Sequence, residues 1–141
     1  MTQESILVGY MGVPGAYSHL ALQQYFSGQP VEARNFMLFE DVVTAVMDGP
    51  VRYGVLPIEN SSTGGITEVY DLVRRYGASI VGEKIVKVEH CLLGLPGAKL
   101  EDITEVYSHP QGFSQCQAFF KAHPAMQQFN YCNTAKAAEM V

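Results

Sequence analysis

Four short stretches carry side chains that could do chemistry, and each sits where an apolar run gives way to a helical pattern. Residues 57–67 read Pro-Ile-Glu-Asn-Ser-Ser-Thr-Gly-Gly-Ile-Thr. Asn60 and Ser61 supply uncharged hydrogen bonds, Glu59 supplies one carboxylate, and Gly64 and Gly65 let a ligand approach the backbone. The plain alternative is a polar loop whose hydroxyls cap the next helix. Residues 108–116 read Ser-His-Pro-Gln-Gly-Phe-Ser-Gln-Cys. Here His109 is a proton carrier or a helix cap, and Gln111 and Gln115, four apart, share one helix face. Cys116 reads as core rather than nucleophile.

The other two stretches are barer. Gly9, Gly12 and Gly15 punctuate a turn that contains Pro14 and leads to Ser18. A strand-to-helix turn can present backbone N–H groups to an anion. The three-and-three glycine spacing departs from the dinucleotide fingerprint, and Pro14 removes a donor, so a dinucleotide site is set aside and a tight turn stands as the alternative. At Asn133-Thr134-Ala135, Thr134 either caps a helix or offers its hydroxyl to an anion. Taken together, the four junctions describe a cleft walled by helix starts and hydroxyls, suited to a small anion.

Composition narrows the field. The 141 residues carry 9 Lys and Arg against 14 Asp and Glu, a net charge of −5, without a basic block. That argues against a nucleic-acid partner. No apolar run approaches the roughly 18 residues of a membrane span, and the first ten residues lack a secretory pattern, so no membrane partner and a cytoplasmic location are expected. Cys91, Cys116 and Cys132 form no CxxC pair and read as free thiols in a reducing compartment. The four histidines show no ligand spacing, so no metal is expected.

The elements that must position these groups alternate. Strands are expected over 6–10, 31–36, 53–58, 106–108 and 128–131. Helices are expected over 18–26, 39–47, 68–76 (closed by Gly77) and 110–122, with a short helix or turn at 100–104. Residues 78–95 are β-rich, interrupted by Lys84, Lys87 and Glu89, and read as a strand crossing between two lobes. The alternation predicts an α/β fold with mostly parallel sheets. A helix begins at Thr134 and reaches Val141 after about two turns without a stop signal, so the chain is expected to be a piece of a longer one.

The order of the motifs is specific. Gly-Val-Pro-Gly-Ala-Tyr-Ser from Gly12, Pro-Ile-Glu-Asn-Ser from Pro57 with Gly64 and Tyr70-Asp71-Leu72, Ser-His-Pro-Gln from Ser108 with Gln115-Cys116, and Thr134-Ala135 with Ala137-Ala138 resemble the catalytic domain of prephenate dehydratase over nearly the whole chain. Ala16 stands where that family often has Thr.

The resemblance implies a two-lobed, periplasmic-binding-protein-like (type II) α/β fold. The first lobe would be residues 1–77 and the second 78–141, incomplete at its end, with the active site in the cleft between them. It implies a carbon–oxygen lyase that converts prephenate to phenylpyruvate without a cofactor, in L-phenylalanine biosynthesis. Asn60, Ser61, His109 and Thr134 would be catalytic, and Ser18, Gly64, Gln111 and Gln115 would bind substrate. In the family the proton donor is a threonine of a Thr-Arg-Phe motif that this sequence lacks, so Thr134 and His109 are the local candidates and this chain alone is expected to be inactive. A homo-oligomer, formed by strand exchange, is also expected. The alternatives are arogenate dehydratase, which shares the motifs, and a non-catalytic small-anion binding module on the same core.

Overall fold

The computed structural model describes residues 4–141. The chain divides into two compact units, one up to Lys87 and one Val88–Val141. The boundary expected from sequence, after Gly77, falls earlier.

In the first unit, β1 (Ile6–Met11), α1 (Tyr17–Tyr25), β2 (Val31–Phe36), α2 (Phe39–Asp48) and β3 (Tyr53–Val55) follow one another. The sheet order is β2-β1-β3, all parallel. Alternation along β1 sorts its side chains between two faces. Val8 and Tyr10 pack with Leu22 and Phe26 of the α1 side. Gly9 faces the other way, opposite Gly54 of β3. A Cβ built on Gly54 would lie 2.8 Å from a methyl of Val42 on α2, so the missing side chain is what lets α2 seat this closely.

The run expected as a buried strand over 53–58 pairs for only three residues, none of them fully buried. The ladder stops short of Pro57, which has no N–H to give it, and β3 has β1 on one side only among the described residues. The polar loop that follows is a small hairpin, β4 (Glu59–Asn60) against β5 (Gly64–Gly65). α3 (Thr67–Tyr76) buries Val69 and Leu72 and ends at Gly77, whose φ of 66° is the left-handed cap expected of glycine. The phenol of Tyr76 donates to Glu40 at 2.5 Å, tying α3 to α2.

Residues 78–95, expected as a crossing strand, hold neither helix nor strand. A strand exists only through its ladder, and this segment has no paired neighbour among the described residues. Its β-forming side chains, Val81 and Ile85 among them, stand exposed.

The second unit pairs β6 (Glu105–Ser108) with β7 (Gln127–Asn130) in parallel, Ser108 opposite Asn130. A 3-10 turn at Leu100–Asp102 precedes β6. The helix expected over 110–122 is two helices, α4 (Pro110–Gln115) and α5 (Gln117–Ala122), which turn at Cys116. Across the turn the rings of Phe113 and Phe120 meet edge to face at 5.4 Å. α6 (Thr134–Met140) packs back on β6 and buries Ala137.

Candidate functional site

In an open parallel sheet, ligands bind beyond the carboxyl ends of the strands, where the strand order reverses. In the first unit β2 lies on one side of β1 and β3 on the other, so that reversal falls between β1 and β3. The Gly12–Ala16 turn with Ser18 leaves β1 there, and the Asn60 hairpin follows β3.

The glycine turn does not offer a ring of donors. Gly12 N–H goes to Phe36 O at 2.7 Å and Ala16 N–H to Val13 O at 3.0 Å. Gly15 N–H goes to Nδ1 of His19 at 3.1 Å, and that ring stacks on Tyr10 at 4.7 Å. These three donors are spent internally, and Ser18 on α1 is half-buried.

Asn60 is built differently. Its Oδ1 accepts the N–H groups of Ser62 at 2.9 Å and Thr63 at 2.8 Å. Ile66 N–H closes the hairpin on Ile58 O at 2.7 Å. The oxygen is used by the turn, which holds the amide rigidly and leaves Nδ2 as a two-proton donor. Ser61 is exposed at the tip. A Cβ at Gly64 would meet nothing within 4 Å, so the space over the backbone there is open.

In the second unit, β6 and β7 also end together, and Tyr131 N–H bonds Ser108 O at 2.8 Å. β6 runs into His109 and α4, and β7 into Asn133 and α6. His109 is the cap of α4: its Nδ1 accepts the Gln111 N–H at 3.2 Å. Accepting there places the ring proton of the neutral form on Nε2. Of the two roles open to this residue, capping is the one the geometry displays.

Thr134 does not cap α6. Asn133 does, accepting Lys136 N–H at 2.7 Å, because Thr134 is already the first helical residue. Its hydroxyl is therefore not used by the helix start, and its exposed side chain stands over Gly112. A Cβ built on Gly112 would lie 3.6 Å from Thr134 Cγ2 and 2.5 Å from Ser108 Oγ. Ser108 and Thr134 thus meet over Gly112 at the carboxyl end of the two strands, His109 and Gln111 follow at the start of α4, and Gln115 is at its far end. Gln115 Oε1 meets Nε2 of His90 at 2.5 Å.

Sequence reasoning missed three participants. Ser108 ends β6 and could have been found from the same junction that gave His109. Asn133 is a better cap by residue type than Thr134. His90 lies in the β-rich run, with no local pattern that ties it to Gln115. Among the described residues no cluster of His, Cys, Asp and Glu could hold a metal ion. No helix there is long and apolar enough to cross a membrane. Two surface hollows of about 320 and 380 Å³, beside Phe113 and Lys121 and beside His19 and Phe26, include none of the predicted site residues.

Comparison with known proteins follows the same residues. The family model "Prephenate dehydratase" matches residues 8–141. A bifunctional chorismate mutase/prephenate dehydratase of Escherichia coli (strain K12) is 39% identical across 95% of this chain and 35% of its own length. An Arabidopsis thaliana protein named arogenate dehydratase/prephenate dehydratase 6, chloroplastic, is 43% identical across 83% of this chain and 28% of its own. The chain therefore spans about a third of the length of these curated relatives.

Among solved structures, the prephenate dehydratase of Staphylococcus aureus subsp. aureus Mu50 superposes with a TM-score of 0.81 at 27% identity, over 96% of this chain and 51% of that one. GqqA, described as a novel type of quorum-quenching acylase, also gives 0.81, at 35% identity over 96% and 48%. The fold is accordingly the α/β, periplasmic-binding-protein-like type II class. The motifs, the strand-end geometry and the match over residues 8–141 agree, and the chain belongs to the prephenate dehydratase family.

Proposed function

We propose that the protein of which this chain is part converts prephenate to phenylpyruvate, a carbon–oxygen lyase step in L-phenylalanine biosynthesis. The observation that carries this reading is Asn60. In a chain of this family, its amide is locked by two backbone N–H groups so that only the donor end remains. A fixed neutral donor suits a dianionic substrate without a surplus of positive charge.

The reaction needs no external oxidant. The electron pair of the bond to the ring carboxylate moves into the ring as CO2 leaves. The ring's rearranging double bonds expel the hydroxyl, which takes up one proton and departs as water. Aromatisation drives the step. The protein has to hold the two carboxylates, keep the ring carboxylate in a poorly solvated setting and deliver the proton. Asn60, Ser61, Ser18, Gln111 and Gln115 serve as hydrogen-bonding groups for the carboxylates, and the open backbone at Gly64 leaves room for the ligand. His109 Nε2–H and the Thr134 hydroxyl are this chain's candidate donors to the departing hydroxyl.

The assay is phenylpyruvate formation from prephenate, by this chain and by a chain extended to the length of its relatives. Activity only in the longer chain supports the family reaction and places its proton donor outside residues 1–141. Activity in both assigns the donor to His109 or Thr134. A folded, extended protein that forms no phenylpyruvate overturns the proposal.

The Arabidopsis relative's name supports a second substrate, arogenate, whose side chain bears an amine in place of the keto group. Competition between the two substrates decides it, with preference for arogenate as the result against prephenate. We place the protein in the cytoplasm as a homo-oligomer. The exposed Val81, Ile85, Leu93 and Leu95 of the unpaired 78–95 segment support association by strand exchange. Light scattering that finds only monomer contradicts this.

A further inference from the structure

We propose that His109 is a positioning residue held in its neutral form, and that it does not deliver the proton to the departing hydroxyl. The inference rests on the reaction proposed above and narrows its candidate donors. His109 answers every backbone donor at the start of α4. Pro110 has no N–H. Gln111 N–H goes to Nδ1 of the ring at 3.2 Å. The N–H groups of Gly112 and Phe113 go to the His109 carbonyl oxygen at 2.8 and 3.4 Å. Only the first of these bonds depends on a side chain, so the ring is what completes the first turn.

That bond sets the chemistry of the ring. Nδ1 accepts through its lone pair, and the neutral ring then carries its one proton on Nε2. Giving up that proton would leave an imidazolate, an anion that histidine does not form near neutrality. A histidine that acts as a general acid starts as the imidazolium, which has an N–H at both nitrogens and no acceptor. The Gln111 N–H would then face another N–H. Capping and proton delivery therefore exclude one another at this residue, and the geometry displays the cap. The effect on the site runs through the turn that the ring holds. That turn carries Gln111, which we assign to substrate binding, and Gly112, where a Cβ would lie 3.6 Å from Thr134 Cγ2. The same use of Nδ1 recurs in the first unit, where His19 accepts the Gly15 N–H at 3.1 Å. The proton then falls to the Thr134 hydroxyl or to a group outside residues 1–141.

Asparagine separates the two roles, because its side-chain oxygen caps a helix start and its amide is no acid. In the full-length enzyme, His109→Ala is expected to lower kcat/KM for prephenate about tenfold, and His109→Asn to recover most of that loss. An Asn variant no better than Ala, or unchanged kcat/KM in His109→Ala, overturns the proposal. Should His109→Ala fail to fold, His109→Asn is compared with wild type directly. Near-wild-type kcat/KM supports the proposal, and a loss of about a hundredfold or more, the range of a missing general acid, overturns it. In long-range 1H–15N spectra of the histidine-labelled protein, the neutral His109 ring is expected to carry its proton on Nε2, and a proton on Nδ1 overturns the proposal whatever the activity. A wild-type enzyme that turns over no prephenate instead removes the function proposed above, and the tautomer still decides whether the ring is held as an acceptor.

Discussion

The side-chain oxygen of Asn60 accepts the backbone N–H of Thr63 at 2.8 Å, and this one contact separates the two jobs of the residue. The oxygen shapes the hairpin, and the nitrogen is not used by it. Asn60→Asp keeps an acceptor for Ser62 and Thr63 and removes the donor, placing negative charge where we propose that a substrate carboxylate binds. Turnover in the full-length protein is expected to fall at least tenfold, about 1.4 kcal/mol of transition-state stabilisation, with little change in melting temperature. Asn60→Ala is expected to lose activity as well, and to loosen the hairpin. Thermal melts beside kinetics check this, and an Asp variant with wild-type turnover removes Asn60 from the site.

Asn133 and Thr134 are neighbours of which only the first is used by the helix start. Asn133 caps α6 through Lys136 N–H, so Asn133→Ala is expected to cost about 1 kcal/mol of stability. Thr134→Ala removes a hydroxyl the helix start does not use and leaves stability within about 0.5 kcal/mol. Denaturant unfolding of both variants tests the assignment, and a larger loss for Thr134→Ala contradicts it.

Gly54 is a packing position. A Cβ added there would press on Val42 at 2.8 Å and Val46 at 3.2 Å, two short, stiff side chains on α2. Gly54→Ala is expected to destabilise the first unit by about 1–3 kcal/mol through overpacking. Equal stability in urea would mean that α2 shifts at no cost.

The bond between Tyr76 and Glu40 gives an alkaline signature. The Glu40 carboxylate accepts the phenol proton and repels the phenolate, raising the Tyr76 pKa above its ordinary value of 10.0. A raised folded-state pKa means the contribution is complete below pH 10 and is lost as pH rises through the raised value. Tyr107, bonded to Glu105, and buried Tyr10 are shifted the same way. Tyr76→Phe is therefore expected to be less stable than wild type at neutral pH, with the gap closing as pH rises above 10.0 through the raised value. A gap that stays constant across that range contradicts the coupling.

Much of this was legible in the residues. The 2-residue and 3.6-residue periods located β1, β2, α1, α2 and α3 within a residue or so, and Gly77 ended α3 where glycine is the natural cap. What was not legible depended on partners distant in sequence. Residues 78–95 have strand composition, yet a strand needs a ladder, and the described residues provide none. The break of the 110–122 helix at Cys116 has no glycine or proline to announce it. At the site, Asn60, His109 and Gln111 could be named from their junctions because each junction is local. The contact of His90 with Gln115 could not, because it joins a segment without periodicity to a helix end.

The most direct test of the central claim is phenylpyruvate formation from prephenate by the full-length protein, with Asn60→Asp measured beside it. The account predicts turnover in the wild type and at least a tenfold loss in a variant that melts like it. A folded wild-type protein that makes no phenylpyruvate, or an Asn60→Asp variant with undiminished turnover, would contradict it.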